Sequence, residues 1–204
     1  MKVALCVGHS RIVNTGQVPG EAGSTNDGGA IAVDGVTREW DFWRCVAGLT
    51  KRRLPAYRHD VSVYDVYEGD NYSSSMDYIA RQIRNARADL AIELHFNAYN
   101  GEAQGREAFY WHNSKRGKEF AEILLGVQGR LSKEGGGEFP NRGAKPATAQ
   151  NRGGQFLQKT HCPAIIWEGF FGDNAEEWAW HHIQEALLAE ILAQSFEEWE
   201  PYQI

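Results

Sequence analysis

Cysteine is scarce in this chain of 204 residues, with only Cys6, Cys45 and Cys162. The count is odd, no two form a Cys-x-x-Cys pair, and each stands in an apolar segment. That argues against a disulfide framework and for buried small hydrophobes. Basic clusters are missing too. Lys and Arg total 21 against 27 Asp and Glu, a formal net charge of −6. No helix concentrates the positive charge that a phosphate backbone requires, so nucleic acid is not an expected partner. No apolar run approaches the length of a membrane span, so membrane insertion is not expected either. The opening "MKVALCVGHS" has one Lys and a very short apolar run. It lacks the long apolar core and small-residue cleavage site of a signal peptide. The expectation is a protein made in the cytoplasm that reaches any extracellular target only by release or delivery. Internal repeats and low-complexity linkers are absent, which points to one domain over residues 1–204, with residues 196–204 expected to fray.

What is present is ordinary globular material, 42% hydrophobic and 24% charged, in a regular alternation of strands and helices. "KVALCV" reads as a first strand ending at Gly8-His9. Residues 10–36 read as a long Gly-rich loop with a short hairpin around "GAIAVDG"; loops of this length inside a compact domain are usually functional. Thr37 is the expected cap of a helix running to about Leu54, with Phe42, Cys45, Val46 and Leu49 inward. "HDVSVYDVY" alternates like a strand. A helix follows, with Ser74 and Asp77 as a capping box and Met76, Ile79, Ala80 and Ile83 as its buried stripe. "LAIELHFNA", "GREAFYWH" and "PAIIWEGFF" read as strands. Residues 114–132 read as a helix with Phe120, Ile123, Leu124, Val127 and Leu131 inward. The stretch from Lys133 to Gly154 reads as a second long loop. Asn174 is the expected cap of one last helix burying Ile183, Leu187, Leu188, Ile191 and Leu192. The pattern predicts an α/β fold: a twisted, mostly parallel sheet flanked by helices on both faces.

Four polar residues break these apolar patterns. His9 follows the first strand. Glu39 lies in the first turn of the next helix, three residues before Phe42 and seven before Val46, and so on its inward face. His95 stands near the end of a central strand, and Glu168 sits inside "AIIWEGFF". Ligands of open α/β sheets gather at the carboxyl ends of strands, where three of the four lie; the fourth opens the helix after the first strand. Taken singly, each has a plainer reading: a loop histidine, a helix-dipole partner, a satisfied core histidine. Glu168 is harder to dismiss, since a buried acid needs a reason. Taken together, two His and one carboxylate match a hydrolytic zinc set with one position left for water. A second carboxylate can take that water's proton and pass it to a leaving amine.

These segments resemble the zinc-dependent N-acetylmuramoyl-L-alanine amidases of the amidase_3 type, found in bacterial autolysins and phage endolysins. "VALCVGHS" resembles the family's opening strand and Gly-His, "GVTREWDF" its segment with a glutamate ligand, and "ADLAIELHFNA" its strand ending in His-x-Asn. "NRGAK" resembles a loop element before the last strand, and "CPAIIWEGFFGDNAEE" the strand with the catalytic glutamate. The resemblance implies a phosphorylase/hydrolase-like fold and one Zn2+ held by His9, Glu39 and His95. It implies Glu168 as general base and acid, with Arg142 as a nearby oxyanion donor and Asn97 in a supporting role. The substrate it implies is peptidoglycan, cut between muramic acid and L-alanine, which suits a phage or prophage lysin. Two departures stand out. Cys6 replaces the usual acid two residues before Gly8, and Glu93 stands two before His95, where the family usually has a small hydroxylic residue. Strand alternation puts Glu93 on the face of His95. It either accepts the imidazole N–H or pairs with an Arg such as Arg106 or Arg142. Aromatics including Phe96, Tyr99, Trp111 and Phe170 are candidates to line a groove. The alternatives are a zinc carboxypeptidase-like peptidase, a peptidoglycan-binding module without activity, and a purely structural interaction protein.

Overall fold

The computed structural model describes residues 1–12, 28–53 and 59–199. Residues 13–27 of the first long loop, Leu54 at the expected end of the first helix, and residues 200–204 of the tail lie outside the described residues. The elements run β1 (Lys2–Val7), β2 (Arg11–Ile12), α1 (Glu39–Arg53), β3 (Asp60–Tyr64), β4 (Tyr67–Glu68), α2 (Tyr72–Asn85) and β5 (Leu90–Asn97). Then come β6 (Arg106–Trp111), α3 (Lys115–Glu134), β7 (Asn141–Ala147), α4 (Gly154–Lys159), β8 (Ala164–Phe171), α5 (Ala175–His181) and α6 (Glu185–Glu198).

Six strands form one sheet in the order β3-β1-β5-β8-β6-β7. β3, β1, β5 and β8 are mutually parallel, β6 is antiparallel to β8, and β7 is parallel to β6. β2 and β4 pair separately. Strand alternation divides the core in two. Val3, Leu5 and Val7 of β1, Leu90, Ile92 and Leu94 of β5, and Ile165 and Trp167 of β8 pack against α1, α3 and α6. Ala4, Cys6, Ala91, Ala164 and Ile166 face the other way, with residues of α2 and α4. Continuing the alternation to the strand ends puts Glu93, His95 and Glu168 on that second face.

α1 is seated by an aromatic cluster. Trp43 is fully buried against Trp167, ring centroids 5.0 Å apart, and Phe42 meets Phe170 at 5.4 Å edge-on. Such large apolar contacts fix the helix on the sheet, and with it the position of its first residue, Glu39.

Several sequence expectations are corrected. Cys45 is exposed rather than buried, because Trp40, Phe42, Trp43, Val46, Ala47 and Thr50 form the inward stripe of α1. The capping box of α2 is Asn71 with Ser74, one turn earlier than expected: Asn71 Oδ1 accepts from Ser74 N and Ser74 Oγ from Asn71 N. The second long loop contains the edge strand β7 and the short helix α4. The last helix is two, α5 and α6, and Ile183 in the break between them is 70% exposed. Asn174 does cap α5, its Oδ1 accepting from the backbone N–H of Glu176 and Glu177. The tail expected to fray is helical through Glu198, and Trp199 is buried.

Candidate active site

The carboxyl ends of β1, β5 and β8 and the start of the antiparallel β6 open onto a cavity of about 1020 Å³. His9, Glu39, Glu93, His95, Glu107 and Glu168 all line it. Four carboxylates and two imidazoles in one hollow is an unusual concentration of costly groups.

Glu39 is the centre of the arrangement. It is 3% exposed, and its Oε1 lies 2.7 Å from Nδ1 of His95 while Oε2 lies 3.3 Å from Nε2 of His9. Backbone N–H groups of Phe96 and Ala30 donate to the same two oxygens, at 3.2 and 3.1 Å. Burial alone would raise the pKa of Glu39, but the hydrogen bond and charge of His95, with help from His9, bring it below its usual value. Burial likewise works against a charged His95, yet Glu39 and Glu93 push its pKa well above the ordinary imidazole value. The two imidazole rings face each other edge-on with centroids 5.2 Å apart. Ligand atoms of His9, Glu39 and His95 all lie within 4.8 Å of one another, close enough to share one ion.

Local backbone chemistry builds this cradle. His9 has φ 58°, a left-handed conformation that a non-glycine residue rarely adopts without reason. Gly8 continues the β1–β5 ladder, its N–H donating to Leu94 O at 3.0 Å, and the His95 ring lies directly on it. Gly29, at φ +85°, lies so close to Glu39 that a Cβ there would meet Oε2 at 2.6 Å. Ser10 ties the turn down: its hydroxyl donates to Val7 O and accepts from Trp40 Nε1 at 3.1 Å.

Glu168 pairs in register with His95 on one side and Glu107 on the other. Its Oε2 is sealed from solvent and accepts no hydrogen bond among the described residues. Burial raises its pKa to about 7, with the carboxylates of Glu39 and Glu107 adding to the rise and the two histidines opposing it. Glu107 takes the opposite course. Burial favours its neutral form, but Lys145 and Arg142 hold its pKa below the usual range. It accepts from Arg142 Nε at 2.9 Å, from Lys145 Nζ, and from Asn97 Nδ2 at 2.9 Å.

The structure therefore brings His9, Glu39, His95 and Glu168 together. Arg142 stands differently. It does not line the cavity; its guanidinium lies over the Phe171 ring and reaches the site through Glu107. Of the aromatics, Phe96 lines the cavity, Tyr99 is 81% exposed and does not line it, and Phe170 is buried in the core. Sequence reasoning missed Glu107, although an acid between apolar residues of "GREAFYWH" is the same signal that marked Glu168. It also missed Tyr67, whose two-residue strand gives no periodic signal, and the stretch 149–153 with Gln155 that lines the cavity.

Comparison with known proteins decides the family. The family model described as N-acetylmuramoyl-L-alanine amidase, Amidase_3, matches residues 3–195. The chain belongs to this amidase family. Among solved structures, the amidase is similar to the catalytic domain of the CD27L endolysin targeting Clostridia difficile, at 25% identity, TM-score 0.76 and 97% coverage of both chains. Its fold is also that of the CwlV catalytic domain from Bacillus (Paenibacillus) polymyxa var. colistinus, at 18% identity, TM-score 0.73 and 98% of both chains. AmiC2 of Nostoc punctiforme shares it too, at 16% identity, TM-score 0.73, and 98% of this chain and 96% of that one. No curated protein matches the sequence significantly. The amidase is thus a peptidoglycan hydrolase of a typically zinc-dependent family, with a possible His-Glu-His metal site. Among the described residues, no helix is long and apolar enough to cross a membrane.

Proposed function

We propose that the amidase uses one zinc ion, held by His9, Glu39 and His95, to hydrolyse the amide between N-acetylmuramic acid and L-alanine, with Glu168 as the general base and acid. The observation that carries this reading is the convergence of the two imidazoles and Glu39, beside a carboxylate whose Oε2 is buried without a partner among the described residues. The residues fit the metal on chemical grounds. Two nitrogens and one carboxylate oxygen are a borderline-soft donor set that suits zinc and leaves a position open. Gly8 and Gly29 leave the space in which those donors approach one another.

Zinc bound there supplies Lewis acidity to the scissile carbonyl and to water. The remaining work falls to the protein. Glu168 takes a proton from the attacking water as the new C–O bond forms. It returns a proton to the alanine nitrogen as the C–N bond breaks, giving a lactyl carboxylic acid and an amine, which at neutral pH settle as carboxylate and ammonium. Without a metal, burial and the neighbouring carboxylates raise its pKa to about 7, and a cation bound beside it would lower that value toward the ionised form a general base needs. Asn97, Glu107, Arg142 and Lys145 form a connected set beside it, through which Arg142 acts as a positioning residue.

The experiment is metal analysis of the purified protein with clearing of purified sacculi, with and without a chelator. A stoichiometric metal, chelator-sensitive clearing, new N-terminal L-alanine and intact glycan are expected. Glu168→Gln should retain the metal and lose turnover by about 10²- to 10⁴-fold. Activity that survives the chelator, or that survives in Glu168→Gln, would overturn the assignment. Release of C-terminal amino acids without free L-alanine N-termini would point to a peptidase instead.

A further inference from the structure

Glu93 is not needed by the ligand set, and it is not placed as an ordinary core residue. It is a carboxylate at 4% exposure on β5, and among the described residues its side-chain partners are His95 and Tyr67 rather than a Lys or Arg. The pairing with Arg106 or Arg142 left open by the sequence is not what the structure shows: Arg106 donates to the carbonyls of Leu125 and Phe139, and Arg142 serves Glu107. Instead Glu93 Oε2 lies 3.4 Å from Nε2 of His95, while Nδ1 of the same ring faces Glu39 at 2.7 Å. The hydroxyl of Tyr67 donates to the other oxygen, Oε1, at 3.3 Å. Tyr67 is itself held: it is 1% exposed, and its N–H donates to Ser10 O at 2.7 Å in the turn that carries His9.

We infer that Tyr67 and Glu93 form a positioning relay for His95: Glu93 holds the Nε2–H, which fixes the ring tautomer and leaves the Nδ1 lone pair for the metal. This rests on the zinc reading above. An imidazole has two nitrogens and one proton in its neutral form, so the ring can present either a lone pair or an N–H toward Glu39. Only the first can ligate. A carboxylate on the far nitrogen selects that tautomer, locks the ring about its bonds to β5, and makes the ligating nitrogen a better donor. Tyr67 satisfies the second carboxylate oxygen and so holds Glu93 against the ring. The device links both histidine ligands, because one backbone turn anchors Tyr67 and bears His9.

The test measures metal binding and tautomer rather than turnover. Zinc dissociation constants are determined by chelator competition for the wild type, Glu93→Gln, Glu93→Ser and Tyr67→Phe, each checked by circular dichroism for a native fold. Long-range ¹H–¹⁵N correlation spectra of the zinc-loaded proteins report which His95 nitrogen carries the proton. The expected result is zinc binding about 10- to 100-fold weaker in Glu93→Gln and Glu93→Ser. Tyr67→Phe is expected to weaken it only a few-fold, and the wild-type spectrum to show a protonated Nε2. Folded Glu93 variants that bind zinc within two-fold of wild type, or a wild-type His95 protonated on Nδ1 in the loaded protein, would overturn the inference. A wild type that binds no zinc would instead sink the functional reading on which it rests.

Discussion

Gly8→Ala tests how the site is built with one added methyl group. The φ angle of Gly8 lies outside the left-handed region, so alanine fits the backbone there. The difficulty lies beyond the backbone. A Cβ at position 8 would sit 2.2 Å from Cε1, 2.5 Å from Nε2 and 2.6 Å from Nδ1 of His95. Carbon contacts become comfortable only near ~3.5 Å, so the ring must retreat by about 1 Å or rotate. Its neighbours allow little of either, since Nδ1 is bonded to Glu39 and Nε2 faces Glu93. Overpacking of this kind costs about 1–3 kcal/mol, a fall in Tm of about 2–12 °C for a chain of this size. The consequence for function is larger, because displacement of a ligand by ~1 Å can cost about 10²-fold. Gly8→Ala should therefore fold, melt a few degrees lower, and bind zinc about 10²-fold more weakly, with clearing of sacculi lost in proportion. The assays are thermal denaturation, chelator competition and turbidity. Wild-type zinc affinity in a folded Gly8→Ala protein would show that the ring does not owe its position to the absence of a side chain at residue 8.

Two further outcomes follow from groups away from the ligands. Glu177 is fully buried, accepts from the N–H groups of Gly105 and Phe171, and has its pKa raised by burial to about 7. A carboxyl whose folded pKa exceeds its unfolded value stabilises the fold fully below the unfolded pKa and ceases to do so as pH rises through the folded one. Between pH 5 and 7.5 the wild type should thus lose ~2 kcal/mol relative to Glu177→Gln in urea unfolding; parallel pH profiles for the two proteins would exclude this. Arg152 supplies the cavity with its one Lys or Arg side chain among the described lining residues. Because it is exposed, a contact with a substrate carboxylate should contribute only 0.2–1 kcal/mol or so. Arg152→Ala is therefore expected to raise KM for an acid-bearing muropeptide about 1.4- to 5-fold at low salt, less at high salt, with kcat unchanged. Equal KM values at low salt would refute it.

The parts of the fold that were legible in the sequence are those where one physical term dominates. β5 and β8 are buried on both faces and read as near-continuous apolar runs. The parts that were not legible depend on position rather than pattern. β7 is "NRGAKPA", with a glycine at φ +86° and a proline, and only an edge strand with a neighbour on one side tolerates that composition. The stripe from Ile183 to Leu192 is apolar throughout, so nothing local reveals that residue 183 falls in a break and faces solvent. The same division holds in the site. Acids inside apolar strands carry a signal, which marked Glu93 and Glu168 and was passed over at Glu107, whereas Glu39 opens a helix where an acid taken alone is unremarkable and was legible only with the other three residues. Its importance comes from the aromatic seating of α1, a tertiary effect.

The charges in the cavity make a separate case for a cation. Each of its four glutamates must be neutralised somehow, and the structure supplies three different means. Glu107 has Arg142 and Lys145. Glu168 can remain protonated up to about pH 7, because burial and its acidic neighbours favour the neutral form. Glu39 and Glu93 are left to share one imidazole from opposite sides, with His9 as a second contact of Glu39. On the proposed function, a divalent ion held by His9, Glu39 and His95 would set two positive charges against these two carboxylates with both imidazoles neutral. On this reckoning Glu93 does more than orient a ring. On the proposed function it also adds negative charge beside the ion, which would favour a dication over a monovalent ion.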